Sequence, residues 1–232
     1  MSRLARLASL CLAAVCLVAA LSGCNAEQLA QNPLGPCGDD ARSPGGFPDL
    51  EAKLPATFGP DGAVPDRVDS GRSCSDTALG TLKSHGITEL DFAGATWNED
   101  SSSEGTVIAV VQAPRYLEPL ETSWVEEFYE AGARNGKKTD NIEVSRPGIG
   151  AIGEVFWLDT INDLSFQTVA VWPGDGVVHV VIVATDVAPL KDRGVHAQHV
   201  EDAIRVANGG EPSSSEGCAC GSAPPATAPA GS

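Results

Sequence analysis

The sequence predicts an α+β domain in which a largely antiparallel sheet, a hairpin plus a three-stranded meander, packs with about three helices. Runs rich in Val, Ile, Phe and Trp fall into two groups, and helical patterns lie before, between and after them. The links inside the second group, residues 161–163 and 173–176, are short and contain turn-forming residues, which favours antiparallel neighbours. Grouped strands separated by helices are typical of α+β domains.

Residues 1–23 have the layout of a secretory signal peptide. Two arginines precede an apolar run at residues 7–20, which is too short to cross a hydrocarbon core of about 30 Å. Residues 21–24 (LSGC) resemble the lipobox of bacterial lipoproteins, in which the cysteine thiol carries diacylglycerol and becomes the new N-terminus. The resemblance implies lipidation of Cys24 and an extracytoplasmic position on a bacterial membrane. The alternative is an ordinary secretory signal with a chance cysteine.

Three further regions follow the signal peptide. Residues 24–45 are polar and lack periodicity, so we expect a flexible tether. Residues 209–232 form a low-complexity segment that has too little apolar content to order itself, and we expect a disordered tail. Residues 46–208 are enough for one domain with a hydrophobic core.

The helices are predicted at residues 77–86, 123–133 and 195–207. The first follows a capping serine or aspartate and ends at a glycine. The second opens on a capping box (SWVE), and the third is amphipathic and ends at Asn-Gly.

Five strands are predicted from runs of β-branched and aromatic residues bounded by turn signals. The hairpin comprises residues 89–97 and 106–113, and the meander comprises residues 154–160, 164–172 and 177–187. The order of hairpin, helix, meander and helix is similar to that of small lipoprotein domains of the PsbP/Mog1-like kind. This similarity concerns the order of elements across the domain.

The meander is apolar on both faces, whereas an antiparallel sheet with one wet face alternates apolar and polar residues. Phe166 and Trp172 project to one side, and Val169 and Val171 project to the other. The protein itself could cover both faces, with helices on one side and residues 47–68 on the other. The alternatives are dimerisation through the sheet and a groove for an apolar ligand or partner. That groove would be lined by Trp157, Phe166 and Trp172.

The seven cysteines support export. Two leave with the signal peptide and Cys24 carries the lipid, which leaves four for an oxidising compartment and three possible connectivities. We favour a Cys37–Cys74 disulfide, because the intervening loop has little apolar content to hold itself. Cys218 and Cys220 are expected to bridge within the tail or to the domain. Soft-metal binding or redox chemistry is their alternative role.

The formal net charge of −16 argues against nucleic acid as a partner, since both would be anionic. The acidity fits solubility, a saline habitat or attraction of a cationic partner. No later apolar run reaches bilayer length, so membrane contact is expected through the lipid on Cys24.

The remaining motifs do not predict a cofactor or a metal. Residues 148–153 match G-x-G-x-x-G, but they precede a strand instead of opening a helix, which indicates a bend. His196 and His199 could share one helix face, yet two ligands do not make a metal site, and we expect a solvated face. His179 is expected to be half-buried among valines. No nucleophile signature is present in the sequence.

The leading hypothesis is a lipid-anchored, extracytoplasmic, non-catalytic binding module for an apolar ligand or an envelope protein. The alternative is an extracytoplasmic hydrolase or metal-dependent enzyme, which requires His179, His196 or His199 to converge with an acid, a nucleophile or a metal. A third hypothesis is a passive structural lipoprotein of the envelope.

Overall fold

A computed structural model describes residues 37, 40–59, 61–98, 104–115, 117–136, 141–161, 165–186 and 193–211. The predicted signal peptide with Cys24, most of the predicted tether, and Cys218 and Cys220 of the predicted tail lie outside the described residues. Among the helices that are described, none combines the length and the apolar composition that crossing a bilayer requires.

Strands dominate the described part of the chain. They are β1 (Ala41–Ser43), β2 (Arg67–Ser73), β3 (Leu90–Trp97), β4 (Gly105–Gln112), β5 (Asn141–Ser145), β6 (Gly148–Ile149), β7 (Gly153–Glu154), β8 (Phe156–Ile161), β9 (Ser165–Gly174) and β10 (Val177–Asp186). Eight of them form one antiparallel sheet in the order β1-β2-β3-β4-β10-β9-β8-β5. The other two, β6 and β7, pair with each other.

Four α-helices are assigned within the described residues. They are α1 (Pro48–Glu51), α2 (Asp76–Leu79), α3 (Thr122–Asn135) and α4 (Arg193–Ala207). A 3₁₀ helix, Gly80–His85, continues α2 and ends at Gly86 in the left-handed conformation. Ser75 caps α2 by accepting a hydrogen bond from the backbone N–H of Ala78, which agrees with the predicted helix start.

The mixed fold with a large antiparallel sheet confirms the predicted α+β class. The predicted hairpin and meander are joined into one sheet, because β4 pairs with β10. The sequence did not indicate β1, β2, β5 or α1. Of these, β1 lies inside the predicted tether, where its three residues pair with the edge of β2.

The protein covers both faces of its own sheet. On one face, α4 contributes Ile204 to a cluster with Trp172 and Val181, and Phe58 joins the same cluster. On the other face, α2 and α3 contribute Leu79 and Val125 to a second cluster, which includes strand residues such as Val171, Leu158 and Val180. The apolar character of both faces of the meander is therefore explained by burial on both sides.

The first described residues, Cys37 and Asp40, contact the segment that directly follows β2. The Cys37 and Cys74 sulfurs lie at bonding distance, and the two Cα atoms are 6.1 Å apart. The Asp40 carboxylate accepts the backbone N–H groups of Cys74 at 2.6 Å and Ser75 at 2.8 Å, and it also accepts the Ser75 hydroxyl. Burial raises the pKa of Asp40, but these hydrogen bonds outweigh burial and leave the pKa lowered.

Candidate functional site

The three residues of the predicted apolar groove lie on the α4 face of the sheet. Trp157 is 7 % exposed and Trp172 is 1 % exposed, and both belong to the cluster beneath α4. Phe166 is half-buried, with its ring centroid 6.0 Å from that of His196 on α4. The space beside the two indoles is occupied by α4, so a ligand would reach them only if this helix moved away from the sheet.

An open cleft lies at one end of the sheet, and none of those three residues lines it. It has a volume of about 680 Å³ and lies between the segment after β4 and the turn that joins β9 to β10. Buried Val111 and Val178 line it together with more exposed residues of the segment before α3, Leu117, Pro119 and Leu120. Its volume falls within the usual range for binding sites, about 300–1,000 Å³.

Charged groups surround this cleft with both signs. Arg115 and Glu121 belong to the segment before α3, and Asp175 belongs to the β9–β10 turn. The backbone carbonyl of Asp175 accepts a hydrogen bond from Lys53 Nζ at 3.2 Å, which ties the turn to the segment after α1. No sequence motif indicates this cleft, although two prolines of the segment, Pro114 and Pro119, are a visible signal of a loop.

A buried polar network lies where α4 begins. The Thr168 hydroxyl donates to Asp159 Oδ1 at 2.5 Å, so it must accept the Nε2–H of His196, 2.7 Å away. The other ring nitrogen, Nδ1, then accepts from the Thr185 hydroxyl at 2.8 Å. Asp159 also accepts the indole N–H of Trp157 at 2.7 Å.

His196 is neutral in this arrangement at neutral pH. Burial lowers its pKa to about 4, although Asp159 acts in the opposite direction. The expected solvated helix face is wrong for this residue, because His196 lies between the helix and the strands β9 and β10. Thr168 is fully buried, so its contact with a histidine and a carboxylate docks α4 and offers no surface to a substrate.

Arg193 extends this hydrogen-bond network to the protein surface. Its guanidinium contacts Glu143 on β5 at 2.8 Å and Asp159 on β8 at 3.0 Å. The hydrogen bonds to Glu143 and then Asp159 raise the pKa of Arg193 further above its usual value. A shallow depression of about 480 Å³ surrounds this guanidinium, lined also by Asn141 and Ile142.

The other histidines have separate partners. His199 Nε2 lies 3.0 Å from the Thr106 hydroxyl, and its ring packs edge-on against Phe58. His179 is buried and stacks on Trp172, with centroids 5.1 Å apart. Within the residues described, no three His, Cys, Asp or Glu side chains come together as a metal site requires.

The G-x-G-x-x-G segment forms the strands β6 and β7 with a 3₁₀ turn, Gly150–Ile152, between them. This geometry agrees with the predicted bend.

Comparison with known protein families, curated proteins and solved structures finds no match to this chain.

Proposed function

We propose that this chain is a lipid-anchored, extracytoplasmic binding module that holds a segment of another envelope protein in the cleft between residues 111–115 and 117–122 on one side and residues 173–178 on the other. The proposal joins two independent lines of support. The lipobox-like residues 21–24 predict export and anchoring through Cys24. The open cleft supplies a concave surface on a sheet whose two faces are otherwise covered.

The openness of the cleft favours a protein segment over a small apolar molecule. Pockets for small molecules bury about 70–90 % of the ligand surface. Here the apolar groove at Trp157, Phe166 and Trp172 is filled by α4, whereas the cleft is open to solvent and carries Arg115, Glu121 and Asp175. Protein interfaces combine such polar groups at the rim with apolar side chains at the centre. The single observation that carries the proposal is this cleft.

Site-specific photocrosslinking in cells that produce the full chain tests the proposal. A crosslinking side chain at Leu117, in the cleft, is compared with one at Val195, which is 63 % exposed on α4. We expect one protein species to be captured at Leu117 and not at Val195.

A matched pair of variants shows whether the capture depends on the cleft. Ala113→Phe places a large side chain in the cleft, and Ala151→Phe places one on the exposed 3₁₀ turn. Capture at Leu117 should fall at least about fivefold with the first change and stay constant with the second. Equal capture at Leu117 and Val195 would overturn the cleft as a binding site. Capture at Leu117 that is unchanged by Ala113→Phe would overturn it as well. Circular dichroism confirms that both variants are folded.

A further inference from the structure

The strand β5 forms one edge of the eight-stranded sheet. It pairs with β8 on one side, and no strand of the described residues pairs with its other side. Four of its five residues are exposed, and Val144 is 41 % exposed. Backbone N–H and C=O groups along such an edge can pair with an extended segment of another chain.

The first described residue, Cys37, lies at the opposite edge, on the side of the chain that carries the proposed anchor. The chain enters the described structure at Cys37, whose sulfur lies at bonding distance from that of Cys74 beside the end of β2. Seven strand spacings of about 4.8 Å separate β1 from β5, which places β5 about 34 Å from that edge when measured along the sheet. Roughly a dozen residues separate Cys24 from Cys37, and they span at most about 45 Å. With the lipid on Cys24, the β1 edge stays within about 45 Å of the membrane, and this tether leaves β5 free to face away from it.

Charge disfavours a second copy as the natural occupant. Glu143 is the central residue of β5. An antiparallel pairing of two β5 strands over their full length would therefore place Glu143 directly opposite its own copy. Like charges directly opposite each other destabilise a strand pair, and the net charge of −16 adds a general repulsion between copies.

The two faces of β5 specify the partner segment. Glu143 projects to the α4 face, where it meets Arg193 and lies opposite Asp159. Val144 is the next residue and projects to the other face, opposite Leu158. On the first face two carboxylates, Glu143 and Asp159, share the single guanidinium of Arg193. A matching strand therefore carries a basic residue on the first face and apolar residues on the second.

We infer that the outer edge of β5 accepts an extended segment of another envelope protein as a ninth strand, with a lysine or arginine opposite Glu143. The direction in which the edge faces rests on the proposed anchor, whereas the strand pairing rests on β5 alone. The edge is separate from the proposed cleft, whose lining contains no residue of β5.

Hydrogen–deuterium exchange of the full chain in detergent micelles tests this inference. The probe is a seven-residue peptide of alternating valine and threonine with a central lysine, added at millimolar concentration. We expect the amides of residues 141–145 to become protected. The same peptide with a central glutamate should bind at least about fivefold more weakly, and a version with N-methylated backbone amides should give no protection.

Two variants complete the experiment. Glu143→Lys should reverse the preference so that the glutamate peptide binds better, whereas Asp61→Lys, at an exposed position outside the sheet, should leave the preference unchanged. Protection outside β5, equal binding of both peptides, or binding by the N-methylated peptide would overturn the inference. A concentration-dependent dimer that protects residues 141–145 without peptide would also overturn it, in favour of a second copy. None of these results depends on lipidation or on crosslinking at Leu117, so a failure here is distinguishable from a failure of the proposed function.

Discussion

The Nε2–H of His196 donates to the Thr168 hydroxyl at 2.7 Å inside the interface between α4 and the sheet. The Thr168 hydroxyl donates to Oδ1 of Asp159, and Oδ2 of Asp159 accepts a hydrogen bond from Arg193 at the surface. One residue of α4 is thus bonded to β9 and β10, and another is bonded to β5 and β8. A folded protein loses stability when a buried polar group loses its hydrogen-bond partner. The docking of α4 is therefore sensitive to pH and to substitution in this network.

Acidification should destabilise the protein through His196. Its pKa is about 6.5 in the unfolded chain and about 4 in the folded protein, because burial disfavours the charged ring. Between these values the unfolded state binds more protons, so the free energy of unfolding falls as the pH is lowered through this window. At 1.36 kcal/mol per pKa unit, the loss from pH 7 to pH 4.5 is about 2–3 kcal/mol. Urea unfolding at the two pH values measures it.

The variant His196→Gln is the control for this pH dependence. The part of the loss that belongs to His196 should be absent in the variant. The part that belongs to His179, whose pKa is also lowered by burial, should remain. An unchanged loss between pH 7 and pH 4.5 in the variant would contradict the assignment to His196.

Removing the Thr168 hydroxyl should destabilise the fold without changing its shape. In Thr168→Val the Nε2–H of His196 loses its acceptor and Asp159 loses one donor, and leaving buried polar groups unpaired costs about 1–3 kcal/mol. Chemical denaturation at pH 7 measures the change. Thr160→Val, at a half-buried position on β8, should stay within about 0.5 kcal/mol of the parent. Equal effects of the two substitutions would show that the hydrogen bonds of the Thr168 hydroxyl do not contribute to the free energy of unfolding.

The packing of α4 predicts a large effect at Ile204 and a small one at Val195. Ile204 is fully buried in the cluster with Trp172, so Ile204→Ala should lower the free energy of unfolding by about 2–5 kcal/mol through lost burial and a residual cavity. Val195 lies on the same helix but is exposed, and Val195→Ala should change stability by about 0.5 kcal/mol or less. Guanidinium titrations of both variants give the comparison. A loss below about 1 kcal/mol for Ile204→Ala would mean that α4 is only loosely packed on the sheet.

The strands that the sequence predicted, the hairpin and the meander, are those rich in β-branched and aromatic residues, and the meander is apolar on both faces. Strand β2 was not predicted because it is polar. Its buried Arg72 is neutralised by Asp91 on β3, with Nε and Oδ1 2.6 Å apart, and by Glu89, at a nitrogen–oxygen distance of 3.3 Å. Strand β5 was not predicted because a strand at an exposed sheet edge needs no apolar pattern.

The sequence did not predict the buried polar network around His196 either. His196 and Thr168 are 28 residues apart, and nothing in either segment indicates that β9 carries the hydroxyl that α4 contacts. The cleft depends on how the segment before α3 lies beside the β9–β10 turn, which is set by tertiary packing. The groove proposed from Trp157, Phe166 and Trp172 used the correct face of the sheet, but a helix that the sequence also predicted occupies that face.

The Cys37–Cys74 disulfide should contribute strongly to stability. A disulfide between Cys37 and Cys74 closes a loop of 37 residues, and the chain-entropy relation gives about 4 kcal/mol for a loop of this length. Replacing both cysteines by serine should lower the free energy of unfolding by about 2–4 kcal/mol. Peptide mapping of the parent under non-reducing conditions identifies the bond. Asp40→Asn, which keeps the cysteines, should cost less, and the absence of a linked Cys37–Cys74 peptide would remove the basis of this prediction.

The anchor can be tested through Cys24 alone. Lipidation requires the thiol, so Cys24→Ser should leave an unprocessed or soluble protein, whereas the parent should partition with membranes and carry the mass of its acyl chains. Fractionation with mass spectrometry of the N-terminal peptide measures both properties. Cys37→Ser is the matched control, because it removes a thiol about 13 residues away from the proposed modification and should leave membrane association unchanged. If Cys24→Ser keeps both the membrane association and the size of the parent, the protein is not held by a lipid on that residue. The orientation of β5 away from the membrane then loses its support, while the pairing of β5 with a basic strand stays open to its own experiment.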